Sequence, residues 1–209
     1  CPYIDGLVKS YDDTEALKVP GVRHVIRINR IPEDLSEQKY IADGVAVIAD
    51  SHWAALKGRE ALEIEWDKGR WSHVDNAWID ANFDELVENG ETNVRLEHGD
   101  FDKAYAGADK TLEVAYDQPY WAHTTMETPC GLVDVQKDKV VVIAGNQTAV
   151  RVMNDLMNVL PGYSHDQFDV TLMRIGSGFG RKFIVDAATE AAVLSKEVGK
   201  PVKVIWTRE

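Results

Sequence analysis

Three glycines at alternate positions, Gly176, Gly178 and Gly180, form the stretch of this chain with the clearest chemical potential. They stand between a predicted strand and a predicted helix, with Phe179 among them and Arg181 directly after them. Glycine has no side chain, so backbone N–H groups can approach a ligand closely, which suits phosphate or oxo groups. The spacing is compatible with a dinucleotide site, with a site for a larger anionic cofactor, or with a connecting loop that binds nothing.

A dinucleotide site is suggested by the order of strand, glycine loop, helix and strand over residues 168–206, with Glu209 as the acid that would bind the ribose. The Rossmann pattern GxGxxG requires a third glycine at position 181, where the helix packs closely on the strand. Arg181 occupies that position. Spacing alone therefore leaves a Rossmann-like nucleotide-binding module as one of several open interpretations.

The composition limits the possible partners. The 209 residues are 44% hydrophobic, enough for a real core, and 35 acidic residues against 23 basic ones give a formal net charge of -12. This charge disfavours non-specific binding to nucleic acid or to an anionic membrane surface. No segment approaches the roughly 20 consecutive apolar residues of a membrane-spanning helix, and CPYIDGLVKSYDD lacks the pattern of a signal peptide. We expect no nucleic-acid partner and no membrane insertion.

The residue types that commonly bind metals are dispersed along the chain. Cys1 and Cys130 are the two cysteines, and neither belongs to a CxxC or Cys/His cluster. The histidines stand singly, at positions 24, 52, 73, 98, 123 and 165. The spacing predicts neither a disulfide framework nor a metal site built from protein ligands.

Hydrophobic periodicity predicts an alternating pattern of strands and helices. In the first third, strands are predicted over 6–13, 22–28, 44–50 and 63–66, with a helix over 51–62. The order strand, helix, strand over 44–66 predicts a βαβ-like unit. Farther along, the sequence predicts helices over 77–90, 99–108, 147–162 and 184–199, strands over 110–120, 168–175 and 201–206, and a β-hairpin over 131–145.

Five segments resemble, in the same order, the large molybdenum-cofactor-binding subunit of the xanthine oxidase and aldehyde oxidase family, and within it the isoquinoline 1-oxidoreductase beta-subunit branch. They are GVAVIADSHWAALKGREALEIEWDKG, YWAHTTMETPCGLVDV, AGNQTAVRV, RIGSGFGRK and GKPVKVIWTRE. The resemblance implies an α/β (α+β) fold with mixed sheets and flanking helices. It places an a/b hammerhead domain, partial at its N-terminus, over 1–75, a linker with a helix over 76–98, and the first part of a molybdopterin-binding domain over 99–209.

The resemblance also implies a cofactor site. The backbone of its glycine loop would lie against the pterin dithiolene and the oxo face of molybdenum; the loop consists of Gly176, Ser177, Gly178, Phe179 and Gly180. Gln147 would hydrogen-bond an oxygen ligand of the metal, although its position alone favours a turn or helix-capping role. Arg181 would reach a phosphate of a dinucleotide form of the pterin, the cytosine dinucleotide. Ser177 replaces a glycine of the family's loop and adds a Cβ where the backbone should approach closely.

The resemblance also implies a substrate preference. Phe183 stands where purine-oxidising relatives place a glutamate, which implies an apolar N-heteroaromatic or an aldehyde as substrate rather than xanthine. Glu127 and Cys130, within METPCG, are expected near the site, although METPCG departs from the family's usual motif. The resemblance implies hydroxylation with oxygen derived from water, electron transfer to a small [2Fe-2S] partner subunit, and a periplasmic location.

The family's general-base glutamate, in a GxGE setting near the C-terminal end of the subunit, has no counterpart among these residues. Gly90 and Glu91 are the one Gly-Glu pair, and they end a predicted helix. We therefore expect a fragment that contains no catalytic residue, that lacks bound cofactor and that is inactive alone. The missing base and Ser177 also favour an alternative, a non-catalytic interaction domain that keeps the fold.

Overall fold

The computed structural model describes residues 1–31 and 41–208. They divide into two compact units, one formed by Cys1–Ser72 with His123–Glu209 and the other by His73–Ala122. The first unit thus joins the beginning of the chain to its end. The domain boundaries at residues 75 and 98 that the family resemblance implies stay predictions.

Two small antiparallel sheets form the beginning of the first unit. Strand β1 (Leu7–Asp12) pairs with β4 (Glu63–Asp67), and β2 (Val22–Ile28) pairs with β3 (Gly44–Ala49). Helix α1 (His52–Glu60) begins after Ser51, whose side chain accepts a hydrogen bond from the amide of Ala54. The βαβ-like unit predicted over 44–66 is wrong, because β3 and β4 lie in different sheets. Hydrophobic alternation identifies strands but carries no information on their partners.

A mixed four-stranded sheet forms the rest of this unit, in the order β7-β6-β5-β8. Its strands are β5 (Cys130–Val135), β6 (Val140–Ala144), β7 (Phe168–Leu172) and β8 (Val202–Ile205). Strands β5 and β6 are the predicted hairpin, closed by a hydrogen bond from the Gln136 amide to the Lys139 carbonyl. β7 runs parallel to β6, whereas β8 is antiparallel to β5. The predicted mixed α/β fold is confirmed.

The sheet topology contradicts the dinucleotide-binding interpretation. Strands β7 and β8, which precede and follow helix α5 (Asp186–Val198), lie on opposite edges of the sheet with the antiparallel hairpin between them. A Rossmann unit instead places the strands around its glycine loop and helix in a parallel, doubly wound sheet. Glu209, the predicted ribose ligand, lies outside the described residues.

Helices α4 (Ala149–Val159) and α5 pack against each other and against the sheet. The core between them consists of fully buried small and branched side chains, including Val133, Val140, Val142, Val152, Leu156, Leu160, Ala191 and Ala192. Helix α5 approaches β5 most closely at Gly131, where an added Cβ would lie 2.9 Å from the Cα of Ala188. Alanines on this face of α5 make the close approach possible.

The second unit contains helices α2 (Asn76–Asn89) and α3 (Phe101–Ala106). Each begins after an aspartate whose side chain accepts a hydrogen bond from a first-turn amide, at 2.8 Å for Asp75 and 3.0 Å for Asp100. The strand predicted over 110–120 is wrong, because this segment is irregular. An alternating apolar pattern forms a strand only where a neighbouring strand accepts its backbone hydrogen bonds. No helix among the described residues has the length and apolar character needed to span a membrane.

Glu190 is a partly buried carboxyl group on α5. It accepts a hydrogen bond of 2.9 Å from the indole N–H of Trp206, just after β8. Burial raises the pKa of Glu190 to about 7, although the hydrogen bond from Trp206 opposes the shift. The folded protein therefore holds this group protonated under conditions in which an unfolded chain ionises it.

We expect substitution of Gly131 by alanine to destabilise the fold by about 1–3 kcal/mol, because the added Cβ would overlap the backbone of α5. The measurement is the midpoint of urea unfolding followed by circular dichroism. Gly44→Ala is the matched control, since its Cβ would make only an ordinary contact of 3.7 Å. Equal midpoints for the two variants would show that α5 can move away from β5 at little cost.

We expect the stability of the protein to fall as pH rises from about 4.5 to about 7, by at most about 3 kcal/mol, through Glu190. The sign follows because the unfolded chain releases this proton at lower pH than the folded one. Glu190→Gln should flatten that dependence while keeping an acceptor for Trp206, whereas Glu197→Gln, on the exposed side of α5, should not. Urea unfolding across this pH range measures both, and an unchanged slope in Glu190→Gln would contradict the assignment.

Candidate functional site

The glycine loop lies at one edge of the four-stranded sheet, where β6 and β7 both end. Because these two strands are parallel and in register, the segments that follow them leave the sheet side by side. The Met173 amide donates to the Ala144 carbonyl at 3.0 Å, which continues the pairing beyond the strands. The edge beyond the carboxyl ends of parallel strands is a common place for ligand sites in α/β proteins. Here it holds residues 145–147 and 173–180.

The loop itself has an unusual backbone conformation. Ser177 and Phe179 have positive φ angles of 67° and 48°, and Gly180 has a φ of 88°. A left-handed conformation costs about 1–2 kcal/mol for a residue with a Cβ, so surrounding contacts must hold the loop in place. Phe179 also projects into solvent with 72% of its surface exposed.

The backbone amides of the loop are available to a ligand. Within residues 1–31 and 41–208, the N–H groups of the four residues from Ser177 to Gly180 donate no hydrogen bond. Successive unpaired amides in a turn form a concave site that favours anions. The loop therefore has the chemistry of an anion-binding nest.

Gln147 lies next to this nest. An added Cβ at Gly178 would come within 3.8 Å of Oε1 of Gln147, and the Gln147 side chain is exposed. The Gln147 amide donates to the Lys182 carbonyl at 3.1 Å. Asn146 supports the same turn, because its Nδ2 donates to the carbonyls of Lys182 and Ile184, both at 3.0 Å. The structure thus brings together the two segments that sequence reasoning selected separately.

Glu127 stabilises the beginning of the loop through hydrogen bonds. Its amide donates to the Gly176 carbonyl at 3.1 Å, and its Oε2 accepts from the Gly176 amide, also at 3.1 Å. The same Oε2 forms an ion pair with Nζ of Lys182. The hydrogen bond from Lys182 lowers the pKa of the Glu127 carboxyl, and the Gly176 amide adds to this effect. These contacts give Glu127 a supporting role, and its expected contact with substrate stays a prediction.

The segment that carries Glu127 is itself held by Arg208. The Arg208 guanidinium donates to the carbonyls of Thr125 and Met126, at 3.0 and 3.3 Å. The Met126 amide makes a long hydrogen bond of 3.4 Å to the hydroxyl of Ser177. Ser177, the departure from the family's loop, therefore adds a contact as well as a strained backbone.

Arg181 turns towards helix α5. Its guanidinium forms an ion pair of 2.5 Å with Asp186 and lies 5.0 Å from the ring centroid of Trp206. Contact with a cofactor phosphate stays a prediction, and it would require Arg181 to exchange its pairing with Asp186.

Phe183 and Cys130 occupy different positions around the loop. Phe183 is 49% exposed, and its ring lies 5.4 Å from the guanidinium of Arg151. Cys130, at the start of β5, lines a small pocket together with Asn146, Lys182 and Asp186. Both residues are therefore near the loop, and their roles in substrate binding stay predictions.

Sequence reasoning missed Lys182 and Asn146. Lys182 follows Arg181 directly after the glycine loop and was given no role, yet it is only 2% exposed. Asn146 precedes Gln147 and carried no family role. No sequence pattern marks Lys182 as buried, because its partner Glu127 is distant in the chain. Among the described residues, no three side chains of histidine, cysteine, aspartate or glutamate come together as a set of metal ligands.

Comparison with known proteins identifies close relatives along almost the whole chain. The chain is 32% identical over 206 residues to a membrane-bound aldehyde dehydrogenase [pyrroloquinoline-quinone] of Gluconacetobacter polyoxogenes, covering 96% of this chain and 25% of the relative. It is 28% identical to isoquinoline 1-oxidoreductase subunit beta of Brevundimonas diminuta, covering 95% of this chain and 25% of the relative. The chain thus spans about a quarter of the length of these relatives.

The fold is shared with a solved structure, quinoline 2-oxidoreductase of Pseudomonas putida 86. The TM-score is 0.64 at 18% identity, and the match covers 97% of this chain and 29% of that one. At the level of families, the molybdopterin cofactor-binding domain matches residues 84–209, more than half of the chain. This match includes the glycine loop, Gln147 and Glu127. The resemblance inferred from the sequence is confirmed, and the chain belongs to the molybdopterin cofactor-binding domain family.

Proposed function

We propose that this chain forms part of the molybdenum-cofactor site of an oxidoreductase that hydroxylates N-heteroaromatic compounds or oxidises aldehydes. The observation that carries the proposal is the loop beside Gln147 whose amides donate no hydrogen bond within the part of the chain that the structure describes. The names of two relatives support the same class, since one is an aldehyde dehydrogenase and the other an isoquinoline 1-oxidoreductase. The chain spans a quarter of their length, so the activity would belong to a longer protein.

The residues present fit a large anionic cofactor. Within the described residues, the four amides from Ser177 to Gly180 donate no hydrogen bond and so supply donors, and Gly178 places no side chain between the loop and Gln147. Glu127 is the carboxylate bonded to the loop, and Lys182 neutralises it. Donors without an opposing negative charge are what an anionic group requires.

The residues of this chain would bind and orient the cofactor. The amides from Ser177 to Gly180 would hold its anionic groups, and Gln147 would bind it through the side-chain amide. When bound, the molybdenum cofactor supplies two-electron oxidation of a substrate carbon with oxygen derived from water. The general base would come from a part of the longer protein beyond these residues.

An apolar surface near the loop supports the substrate class. Phe179 and Met126 are 72% and 80% exposed, and Phe183 is half-exposed in the position where the resemblance implies a glutamate in purine oxidisers. Apolar rings favour a flat heteroaromatic compound or an apolar aldehyde. We assign these substrates, rather than xanthine, to the longer protein.

Several finer features of the proposal rest on the resemblance alone. They are the cytosine dinucleotide form of the cofactor, a small [2Fe-2S] partner subunit as electron acceptor, and a periplasmic location. Arg181 would serve the dinucleotide only after releasing Asp186.

We expect the full-length protein, purified with its partner subunit, to contain about one molybdenum and one pterin per subunit, and Gly178→Val to lose most of both. The reason is that a Cβ added at Gly178 would already contact Ile175 and Oε1 of Gln147, at 3.4 and 3.8 Å, so a branched side chain would push the loop away from Gln147. Elemental analysis and fluorescence of the oxidised pterin measure the two contents. Ser177→Gly is the comparison variant, because it adds no atom to the loop, relieves a positive φ and removes only the long hydrogen bond from the Met126 amide.

Other outcomes would assign a different function. Pyrroloquinoline quinone without molybdenum in the wild-type protein would replace the pterin by the cofactor named for one relative. Absence of both cofactors would favour a non-catalytic interaction domain. Equal molybdenum in Gly178→Val and wild type would remove the glycine loop from the site.

A further inference from the structure

We infer that Lys182 and Glu127 are positioning residues for the cofactor site, and that their ion pair holds the glycine loop and the Asn146–Gln147 turn in binding geometry. The inference rests on the function proposed above. It concerns the two side chains that support the loop, not the amides and the Gln147 side chain that face the ligand.

The ion pair of Lys182 with Glu127 joins the two ends of the glycine loop. Glu127 forms two hydrogen bonds with Gly176, the first residue of the loop: its amide donates to the Gly176 carbonyl, and its Oε2 accepts from the Gly176 amide, each at 3.1 Å. Lys182 follows the loop, and its side chain lies against the loop. The Cβ of Lys182 would be 3.7 Å from a Cβ added at Gly178. The ammonium then meets the Glu127 carboxylate. The two ends of the loop are thereby joined.

Lys182 also joins the loop to the Gln147 turn. Its carbonyl accepts hydrogen bonds from the Gln147 amide at 3.1 Å and from Nδ2 of Asn146 at 3.0 Å. Lys182 therefore contacts Glu127 through its side chain and the Gln147 turn through its backbone. One residue sets the distance between the two surfaces proposed to hold the cofactor.

Burial makes the pair interdependent. The Lys182 side chain is 1% exposed, and Glu127 is its only hydrogen-bonding partner within the described part of the chain. A buried charge whose partner is removed is strongly destabilising, so the ammonium would leave its position if the carboxylate were lost. The positive φ angles of Ser177 and Phe179 would then relax, because the ion pair joins the two ends of the loop.

The test uses the full-length protein with its partner subunit in four variants: Lys182→Met, Glu127→Gln, the double substitution, and Lys139→Met as the matched control. Lys139 also forms an ion pair, with Asp169, but both side chains are about half exposed and lie away from the loop. We measure the rate of molybdenum loss on dialysis, the Mo(V) electron paramagnetic resonance spectrum, the unfolding temperature, and hydrogen exchange of residues 174–183 in cofactor-free protein.

We expect Lys182→Met and Glu127→Gln to lose molybdenum about tenfold faster than wild type. Removing a side chain that orients the groups in contact with a metal has an effect of this size. The remaining molybdenum should give an altered spectrum, and the loop amides should exchange faster. The double variant should be no worse than Lys182→Met, since either change breaks the same pair. Lys139→Met should match wild type.

The inference is overturned if Lys182→Met keeps the wild-type spectrum and rate of metal loss, even with a lower unfolding temperature, because the pair would then serve stability alone. If Lys182→Met does not fold, Glu127→Gln decides by the same criteria, since its side chain is 38% exposed and the change keeps its shape. A wild-type protein without molybdenum would overturn the proposed function and this inference together. Normal wild-type content with unaffected variants overturns this inference alone.

Discussion

The parallel pairing of β6 with β7 is the constraint on which the candidate site depends. Five consecutive residue pairs, from Val140 with Phe168 to Ala144 with Leu172, fix the register of the two strands. A shift by one residue would turn Val140 and Val142 out of the core, where both are fully buried. The register therefore sets the starting points of the Gln147 turn and of the glycine loop, and the core protects it.

The glycine loop, which follows β7, has a backbone conformation that two of its residues disfavour. Two positive φ angles at residues with a Cβ require support from outside the loop. The support comes from three segments that are distant in sequence, around Glu127, Asn146 and Arg208, which meet only because β5, β6 and β8 share a sheet. The sheet order thus connects hydrophobic packing to the geometry of the exposed amides.

The sequence predicted most of the elements of the first unit but, apart from the β5–β6 hairpin, none of the strand pairings that give the site its shape. The hairpin over 131–145 could be predicted because its strands alternate and its turn is short. The βαβ-like unit over 44–66 was wrong because hydrophobic period gives no strand partner. The strand over 110–120 was wrong because its pattern met no neighbour, and its Leu112 and Tyr116 are almost fully exposed.

The residues of the candidate site also divide into those that the sequence could predict and those that it could not. Gln147 and the loop from Gly176 to Gly180 could be selected through family resemblance, and the structure places them side by side. Lys182 could not be selected, since burial of a lysine depends on a carboxylate 55 residues away in sequence. Arg181 and Lys182 are adjacent cations, yet one pairs with Asp186 and the other with Glu127. Their different partners are a property of the tertiary structure.

A site for an anion in a chain of net charge -12 requires that local dipoles outweigh the overall field. Charges farther away than about 8–10 Å are screened at physiological salt, so the distant carboxylates contribute little at the loop. Glu127 accepts a hydrogen bond from the Gly176 amide of the loop, and its charge is compensated by Lys182. What a ligand meets is then a set of oriented N–H groups, whose attraction for an anion is not weakened by an adjacent negative charge. The ion pair that holds the loop in place is therefore also the contact that makes the loop suitable for an anion.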